Sequence, residues 1–329
     1  MKAILLVPGP QGAFYEYREV PAPAPKAGEV VVRVHATGTN RGELLARPLI
    51  RSSNPKLLPT IGGIEFAGEI VALATSVVAW KAGDRVMGRA PGAYAELVAV
   101  NQHALMRIPD SLTYSEAAAI PNVFVTAHDA LVTAARLRSG ESTMITAGSS
   151  GVGTAAVQIA RYLGAKPVLA TTRSAAKGDA LRALGATHAI DVSKPDWVAD
   201  VKVASGGRGV DVIIDNVGGP MLADNLHALA VRGRLVSVGR NAGNVGECNL
   251  DELAFKRASF IGVTFRTRST AEALACSERF ASDLLDAINR GALKPIVDRV
   301  FPFDRIADAH AYMLSDAQIG KIVLTIDSA

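Results

Sequence analysis

The short run Thr143-Met144-Ile145-Thr146 leads into Ala147-Gly148-Ser149-Ser150-Gly151-Val152-Gly153 and then into Thr154 to Leu163, where Ala155, Ala156, Ile159 and Ala160 supply one packing face. A strand, a glycine-rich turn and an apolar-faced helix in that order constrain this chain more than any other feature, because the helix must fold back onto the strand it has just left. Gly148 is expected to permit the tight turn and Gly153 to let helix and strand pack closely, with the amides at the helix start facing a pyrophosphate. Gly148, Ser149, Ser150, Gly151 and Val152 are therefore candidate phosphate contacts of a dinucleotide. The match departs from G-x-G-x-x-G at its middle glycine, which is Ser150. A glycine-serine turn that only caps a core helix shares these residues, but the strands and helices flanking this one favour the dinucleotide.

The identity of the dinucleotide is read after the second strand, about 20 residues further on, where an Asp or Glu accepts the ribose 2′-OH of NAD. The segment here is Val168-Leu169-Ala170-Thr171-Thr172-Arg173-Ser174-Ala175-Ala176-Lys177, with Thr172 in the place of the acid. Arg173 can make charge-assisted bonds to a 2′-phosphate, and Ser174 and Lys177 add a hydroxyl and a second cation. Solvated charges at a helix start are the alternative reading of Arg173 and Lys177. Absence of the acid together with presence of the arginine predicts NADPH.

Around this turn the chain alternates helices with short apolar runs: Ser115 to Ala119, Val123 to Ala135, Ser142 to Thr146, Val152 to Leu163, Val168 to Thr172, Ala175 to Leu184, Val210 to Asp215 and Arg234 to Val238. Such alternation implies βαβ units and a parallel sheet. The first 118 or so residues differ, with β-patterned runs at Lys2 to Val7, Glu29 to Ala36, Gly68 to Leu73, Arg85 to Gly88 and Ala93 to Val100 broken by Gly and Pro, as in an antiparallel β domain. After Phe260 a helix from about Ser277 to Asn289 and a strand, Ile322 to Ile326, are expected to return to that first domain.

With 329 residues, 49% apolar and 20% charged, the chain has core for about two domains. Its 35 Lys and Arg against 31 Asp and Glu leave a charge of only +4 with no basic block, so nucleic acid is not an expected partner. The opening MKAILLVPGPQG reads as a strand rather than a signal peptide, and no apolar run approaches a membrane span of ~18 residues. Cys248 and Cys276 form no disulfide framework and no four-cysteine zinc site, and the six histidines are scattered, so a cytoplasmic chain without a metal is expected. Tyr162 and Lys166 have a Tyr-x-x-x-Lys spacing, but Gly164 between them should end the helix and remove any catalytic role.

These residues resemble the medium-chain dehydrogenase/reductase superfamily, in its zinc-free quinone oxidoreductase (ζ-crystallin-like) branch. The resemblance runs end to end through Asn40-Arg41-Gly42-Glu43-Leu44-Leu45, Pro59 to Gly68, Ala82-Gly83-Asp84-Arg85-Val86, Gly92-Ala93-Tyr94-Ala95-Glu96, Ala147 to Gly153, Leu184-Gly185-Ala186, Asp215-Asn216-Val217-Gly218-Gly219, Thr264 to Arg268 and Gly320 to Leu324. It implies an α/β fold, a doubly wound parallel Rossmann sheet at 119–262 plus a discontinuous, β-rich GroES-like catalytic domain at 1–118 and 263–329. It places Asn40 near the nicotinamide, Thr126 near its ribose, Ser150 to Val152 at the pyrophosphate and Asn216 on the adenosine side. Val238, Gly239 and Arg240, with Val263, Thr264 and Phe265, would lie along the nicotinamide half. The zinc branch of the superfamily uses a Cys in the 38–40 region and a His before Glu65. Here Ile64 stands in the histidine position and no Cys precedes Cys248. Glu65 is then expected to be structural, paired with a nearby cation.

The expected reaction is hydride transfer from NADPH to an electron-poor acceptor, a quinone, with charge on the acceptor oxygen met by the Asn40 amide or water. Reduction of an activated C=C bond and a non-catalytic NADPH-binding role are the alternatives. Pro48, Leu49 and Ile50 occupy the place where many quinone reductases carry a tyrosine, and Tyr94 in a strand segment reads as packing rather than donating, so no protein acid is expected. The apolar segment Phe260 to Phe265 reads as an edge strand that a two-fold homodimer would cover.

Overall fold

The structure, a computed structural model, describes residues 1–46 and 59–326 and divides into two compact units. One comprises Met1–Asn122, Ser277–Asn289 and Pro295–Ala329, the other Val123–Cys276 and Arg290–Lys294. Pro48, Leu49 and Ile50 lie outside the described residues.

The second unit is built on a six-stranded sheet whose strands all run parallel. Along the chain they are Thr143–Ile145, Val168–Thr172, His188–Asp191, Val210–Asp215, Leu229–Ser237 and Ser259–Gly262. Side by side they lie third, second, first, fourth, fifth, sixth, the doubly wound order. Helices cover strands of such a sheet on both faces, which is why Val168–Thr172 is buried at every position. Met144, Leu169, Trp197, Val201, Ile213, Leu226 and Leu235 join in one apolar cluster of this unit. Strand order reverses between Thr143–Ile145 and Val210–Asp215, and the crevice beyond their carboxyl ends is where such sheets bind ligands.

The first unit carries a seven-stranded sheet that is mostly antiparallel and a three-stranded one. Chain ends meet in the larger sheet: Lys321–Thr325 pairs antiparallel with Glu29–Gly38, Val323 opposite Gly38. Glu29–Gly38 pairs in turn with Glu65–Leu73. Asn40, Glu65 and Lys321, far apart in sequence, thereby come from neighbouring strands or the turn that follows one.

Three sequence expectations shift. The run Val123 to Ala135 is not one uniform helix: Val123–His128 is α-helical, while Asp129–Ala134 widens to i to i+5 spacing, the Ala135 amide donating to the Ala130 carbonyl. Ala175 to Leu184 begins as a 3₁₀ turn at Ala175–Lys177 before the helix Gly178–Ala183. Residues 263–276, expected to return to the first domain, stay with the parallel sheet. The Val263 amide bonds the Ser237 carbonyl, and Arg268 bonds the buried Asp129 carboxylate at 2.6 Å while stacking 4.6 Å from the Phe265 ring. Gly164, as expected, ends the helix Gly151–Tyr162, with φ of +84°.

Two glycines give a paired test of strand packing. A Cβ on Gly68 would overlap the backbone carbonyl oxygen of Arg33, which belongs to the paired strand and cannot turn away. On Gly262 a Cβ meets nothing within 4 Å. Gly68→Ala is expected to lower stability by about 1–3 kcal/mol and Gly262→Ala to change it by less than about 0.5 kcal/mol, read as shifts of the chemical unfolding midpoint.

Candidate active site

In the second unit the turn after Thr143–Ile145 is closed by residues different from those first expected. The left-handed residue is Ala147, with φ of 47°, and not Gly148. Gly148 is needed for space: its Cβ would stand 2.8 Å from the Ala170 Cβ on the neighbouring strand. The Gly148 amide reaches the Thr171 carbonyl at 2.8 Å, and the Ala147 amide reaches Thr171 Oγ1 at 3.2 Å, so the turn is moored to that strand. Gly153 behaves as expected, since a Cβ there would overlap the Ala147 carbonyl oxygen. Ser150 is the N-cap of the helix, its Oγ accepting from the Gly153 amide at 3.1 Å. The Gly151 and Val152 amides head the helix, where no intrahelical acceptor exists and the dipole favours an anion.

The fourth strand supplies the other wall. Buried Asp215 accepts from Thr146 Oγ1 at 2.9 Å and from the Val217 amide at 3.0 Å. Burial holds its carboxyl above the ordinary aspartate range, partly offset by these donors and the Gly218 amide. Asn216 binds the same threonine twice, through its amide to Thr146 Oγ1 at 2.8 Å and through Nδ2 to the Thr146 carbonyl at 2.9 Å. Its Oδ1 is buried and accepts no hydrogen bond from the described residues. The Val238 and Gly239 amides both donate to the Asp215 carbonyl, and a Cβ on Gly239 would overlap the Asn216 carbonyl oxygen. The structure thus brings Ser150, Gly151, Val152, Asn216, Val238 and Gly239 to one crevice. Arg240 follows Gly239 directly, and Val263, whose amide bonds Ser237, begins the next strand's exit toward Thr264 and Phe265.

At the end of the second strand Thr172 is buried and its hydroxyl is engaged locally, accepting from the Ser174 amide at 3.1 Å. Arg173 is exposed, and Ser174 and Lys177 are half-buried. Thr126 is the one residue of Val123–His128 that is not buried. A dinucleotide fits this unit on two observations: the close approach of turn, helix and strand that Gly148 and Gly153 permit, which sets the Gly151 and Val152 amides at the head of the helix, and the buried Asn216 Oδ1, which accepts no hydrogen bond from the described residues.

The first unit holds a buried polar cluster that sequence reading only grazed. Lys321 Nζ donates to the Thr39 carbonyl at 2.6 Å, to Asn40 Oδ1 at 2.8 Å and to Glu65 Oε1 at 2.7 Å, which uses all three of its hydrogens. Glu65 is therefore paired with a cation, as expected. A Cβ on Gly38 would fall 2.5 Å from Glu65 Oε1, so glycine makes room for this carboxylate. The other carboxylate oxygen of Glu65 accepts from the Asn122 amide at 2.8 Å. Asn40 Nδ2 faces Glu65 Oε1 at 2.9 Å and Glu43 Oε1 at 3.3 Å, and its Oδ1 also accepts from Asn122 Nδ2 at 2.9 Å. Both amide hydrogens of Asn40 are thus turned toward carboxylates; an acceptor oxygen could reach that amide only in place of the long Glu43 contact.

Tyr94 is fully buried and its hydroxyl donates to Glu43 Oε2, so it both packs and donates, a correction to the packing-only expectation. Its ring fits against Gly62 and Gly63, where a Cβ would stand 2.9 Å and 2.5 Å from ring carbons. Glu43 is half-buried overall, but its carboxylate lies among these groups. Burial pushes its pKa up to about 7; the Tyr94 hydroxyl, the Lys321 charge and Asn40 pull downward, and the Glu65 charge pushes upward. Burial and the charge on Glu43 raise Tyr94 well above the ordinary tyrosine value, so it keeps its proton. Among the described residues, no three of His, Cys, Asp and Glu gather as a metal site, and no helix is long and apolar enough to cross a membrane.

The Lys321 and Glu65 side chains are 4% and 0% exposed, so neither charge has water to fall back on. Lys321→Met is expected to cost about 3–5 kcal/mol by leaving Glu65 buried without its cation. Adding Glu65→Gln to that variant should recover part of the loss, measured by chemical denaturation of both proteins.

Residues 26–110 match the family described as "Alcohol dehydrogenase GroES-like domain" and residues 151–279 the family described as "Zinc-binding dehydrogenase". The human protein named "Quinone oxidoreductase" is 32% identical over 94% of this chain and 92% of its own. The rat "Synaptic vesicle membrane protein VAT-1 homolog" is 34% identical over 92% of this chain and 78% of its own. A solved mycobacterial structure complexed with NADPH superposes with a TM-score of 0.86 at 28% identity, covering 99% of this chain and 100% of that one. Coverage at this identity, together with the doubly wound unit and the β-rich unit, shows that the chain belongs to the medium-chain dehydrogenase/reductase superfamily, in its ζ-crystallin-like branch.

Proposed function

We propose that this oxidoreductase is specific for NADPH and reduces a quinone or a similarly electron-poor acceptor without zinc. The observation that carries the reading is the end of strand Val168–Thr172, where a buried threonine with an engaged hydroxyl stands in place of a carboxylate and Arg173 follows, exposed to solvent. A carboxylate there would accept a ribose hydroxyl and repel a 2′-phosphate; the guanidinium attracts the phosphate. The mycobacterial relative complexed with NADPH supports this reading.

When bound, the dinucleotide supplies a hydride. In the proposed complex the Gly151 and Val152 amides hold the pyrophosphate at the helix start, and Asn216 Oδ1 takes a hydroxyl donor in the crevice. Arg173, Ser174 and Lys177 hold the 2′-phosphate. Thr126, Val238, Gly239, Arg240, Val263, Thr264 and Phe265 line the remainder of the cofactor. Quinones suit a chain with Ile64 in the place of a zinc-ligating histidine, because the reduced anion is delocalised and needs no Lewis acid.

The functional test is NADPH oxidation against a series of quinones, enals and enoyl thioesters. Turnover is expected with 1,4-benzoquinone; turnover with enals alone would transfer the assignment to C=C reduction, and cofactor affinity with no turnover would make the protein a binding component. Arg173→Ala is expected to weaken NADPH binding roughly 10- to 150-fold, the loss of one charged hydrogen bond of about 1.5–3 kcal/mol, and to leave NADH affinity almost unchanged.

We further propose a two-fold homodimer through strand Ser259–Gly262. Among the described residues that strand pairs on one side only, with Leu229–Ser237, and it exposes Phe260. A self-pairing edge would bury this row of backbone groups. Light scattering at micromolar concentration should give twice the chain mass, and a monomer would refute the arrangement.

A further inference from the structure

We propose that Glu43 is the general acid of this reduction, delivering a proton to the anionic oxygen of the acceptor after hydride transfer, with Tyr94, Asn40 and Lys321 as positioning residues. The inference rests on the oxidoreductase reading above and supplies the proton source that sequence reading did not find.

The geometry separates two carboxylates that share one amide. Asn40 Nδ2 lies between Glu65 Oε1 at 2.9 Å and Glu43 Oε1 at 3.3 Å. Lys321 spends its three hydrogens on Thr39, Asn40 and Glu65, so its ammonium neutralises Glu65 and makes no hydrogen bond to Glu43. The nearest other cation on the Glu43 helix, Arg41, is turned away and bonds the Met313 carbonyl and the Asp316 carboxylate. Glu43 therefore has a neutral phenol on one oxygen and an amide on the other. Tyr15 packs edge-on to the far side of the Tyr94 ring, with centroids 6.2 Å apart, and adds no positive charge. Of the two carboxylates that share the Asn40 amide, Glu43 is the one without a direct cation contact, and burial without a cation favours the protonated form. Its pKa of about 7 agrees with that division. Glu65 is fully buried, whereas Glu43 as a residue is half-buried.

A quinone that receives a hydride gains two electrons and one proton and becomes a hydroquinone monoanion. The O–H bond of the Glu43 carboxylic acid breaks, a new O–H bond forms on the acceptor oxygen, and Glu43 is left as carboxylate. Tyr94 and Asn40 stabilise that carboxylate by hydrogen bonding, and water returns the proton before the next turnover.

The test uses the full-length protein with NADPH and 1,4-benzoquinone, following kcat over about two pH units on either side of 7. Because the protonated form is the active one, kcat should be highest below the midpoint and fall tenfold per unit above it. Glu43→Gln should remove this dependence and lower kcat at the acidic end by ~10²-fold, a usual worth of general acid catalysis. Tyr94→Phe removes a donor that favours the carboxylate, so the midpoint of its profile should move to higher pH. Infrared titration of the protein alone supplies an independent readout: a carboxylic C=O band with a midpoint near neutral pH should be present in the wild type, absent in Glu43→Gln and shifted upward in Tyr94→Phe. A flat kcat profile with robust turnover, or Glu43→Gln equal to wild type, would overturn the inference and leave the oxidoreductase reading standing. No turnover with any acceptor would overturn that reading instead, while loss of the infrared band in Glu43→Gln would still show which side chain holds the proton.

Discussion

The buried ammonium of Lys321 fixes the organisation of the first unit. It sits on the last strand of the chain, Lys321–Thr325, yet its three hydrogens go to groups from the turn after Glu29–Gly38 and from Glu65–Leu73. A cation without water is tolerated only where every donor is met, and here each acceptor also has a second task. The Thr39 carbonyl belongs to the turn that starts the Asn40 segment, Asn40 Oδ1 also binds Asn122, and Glu65 Oε1 also binds Asn40. Register, chain closure and orientation of the Asn40 amide are thus one problem with one solution. Sliding the last strand by one residue would turn the lysine to the opposite face and leave Glu65 as a bare buried charge.

In the second unit the corresponding constraint is steric. Gly153 lets the helix approach the Ala147 carbonyl, Gly148 lets the turn lie against Ala170, and Gly239 lets the following strand end press on Asn216. Each missing Cβ shortens a distance between backbones, and together they gather amides and carbonyls at the switch point of the sheet. Thr146 then links the two central strand ends, donating to Asp215 and accepting from the Asn216 amide. That link orients Asn216 so that its amide group is used internally, while its buried side-chain carbonyl oxygen accepts no hydrogen bond from the described residues.

Much of this was legible in the residues, and the reasons for the remainder are specific. Local pattern identifies the strand, turn and helix at 143–163 because the three parts are contiguous and each has its own periodicity. It assigns the tight turn to Gly148 because glycine is the usual left-handed residue; in the structure Ala147 adopts that conformation, held by the Thr171 hydroxyl, a contact with the neighbouring strand that no local rule contains. Local pattern assigns 263–276 to the first domain, whereas its ties, Arg268 to Asp129 and Val263 to Ser237, are long-range and hold it to the parallel-sheet unit. Tyr94 looked like packing since strand alternation reports burial of a ring and is silent about the hydroxyl at its tip. Glu43 was visible only as part of a motif: its environment is assembled from residues 40, 65, 94 and 321, and burial by such distant partners leaves no mark on the local sequence.

On the proposed zinc-free reading, the chemistry of the first unit follows from the residues that stand where a metal would be held. A zinc ion would polarise an acceptor oxygen and stabilise its anion directly. With Ile64 in the ligand position, the next residue instead offers Glu65, and among the described residues the cluster around it contains one strong cation, whose three hydrogens are taken by Glu65, Asn40 and Thr39. Among the described residues, no positive charge is left over in this cluster to stabilise a localised alkoxide. What the cluster does contain is a second carboxylate whose proton is held near neutrality by burial and by a neighbouring negative charge. Such a site contributes little to forming an unstable anion and much to quenching a stable one. On the proposed reading these properties favour acceptors that carry their own charge delocalisation, through the ion-pair arithmetic of Lys321, Glu65 and Glu43.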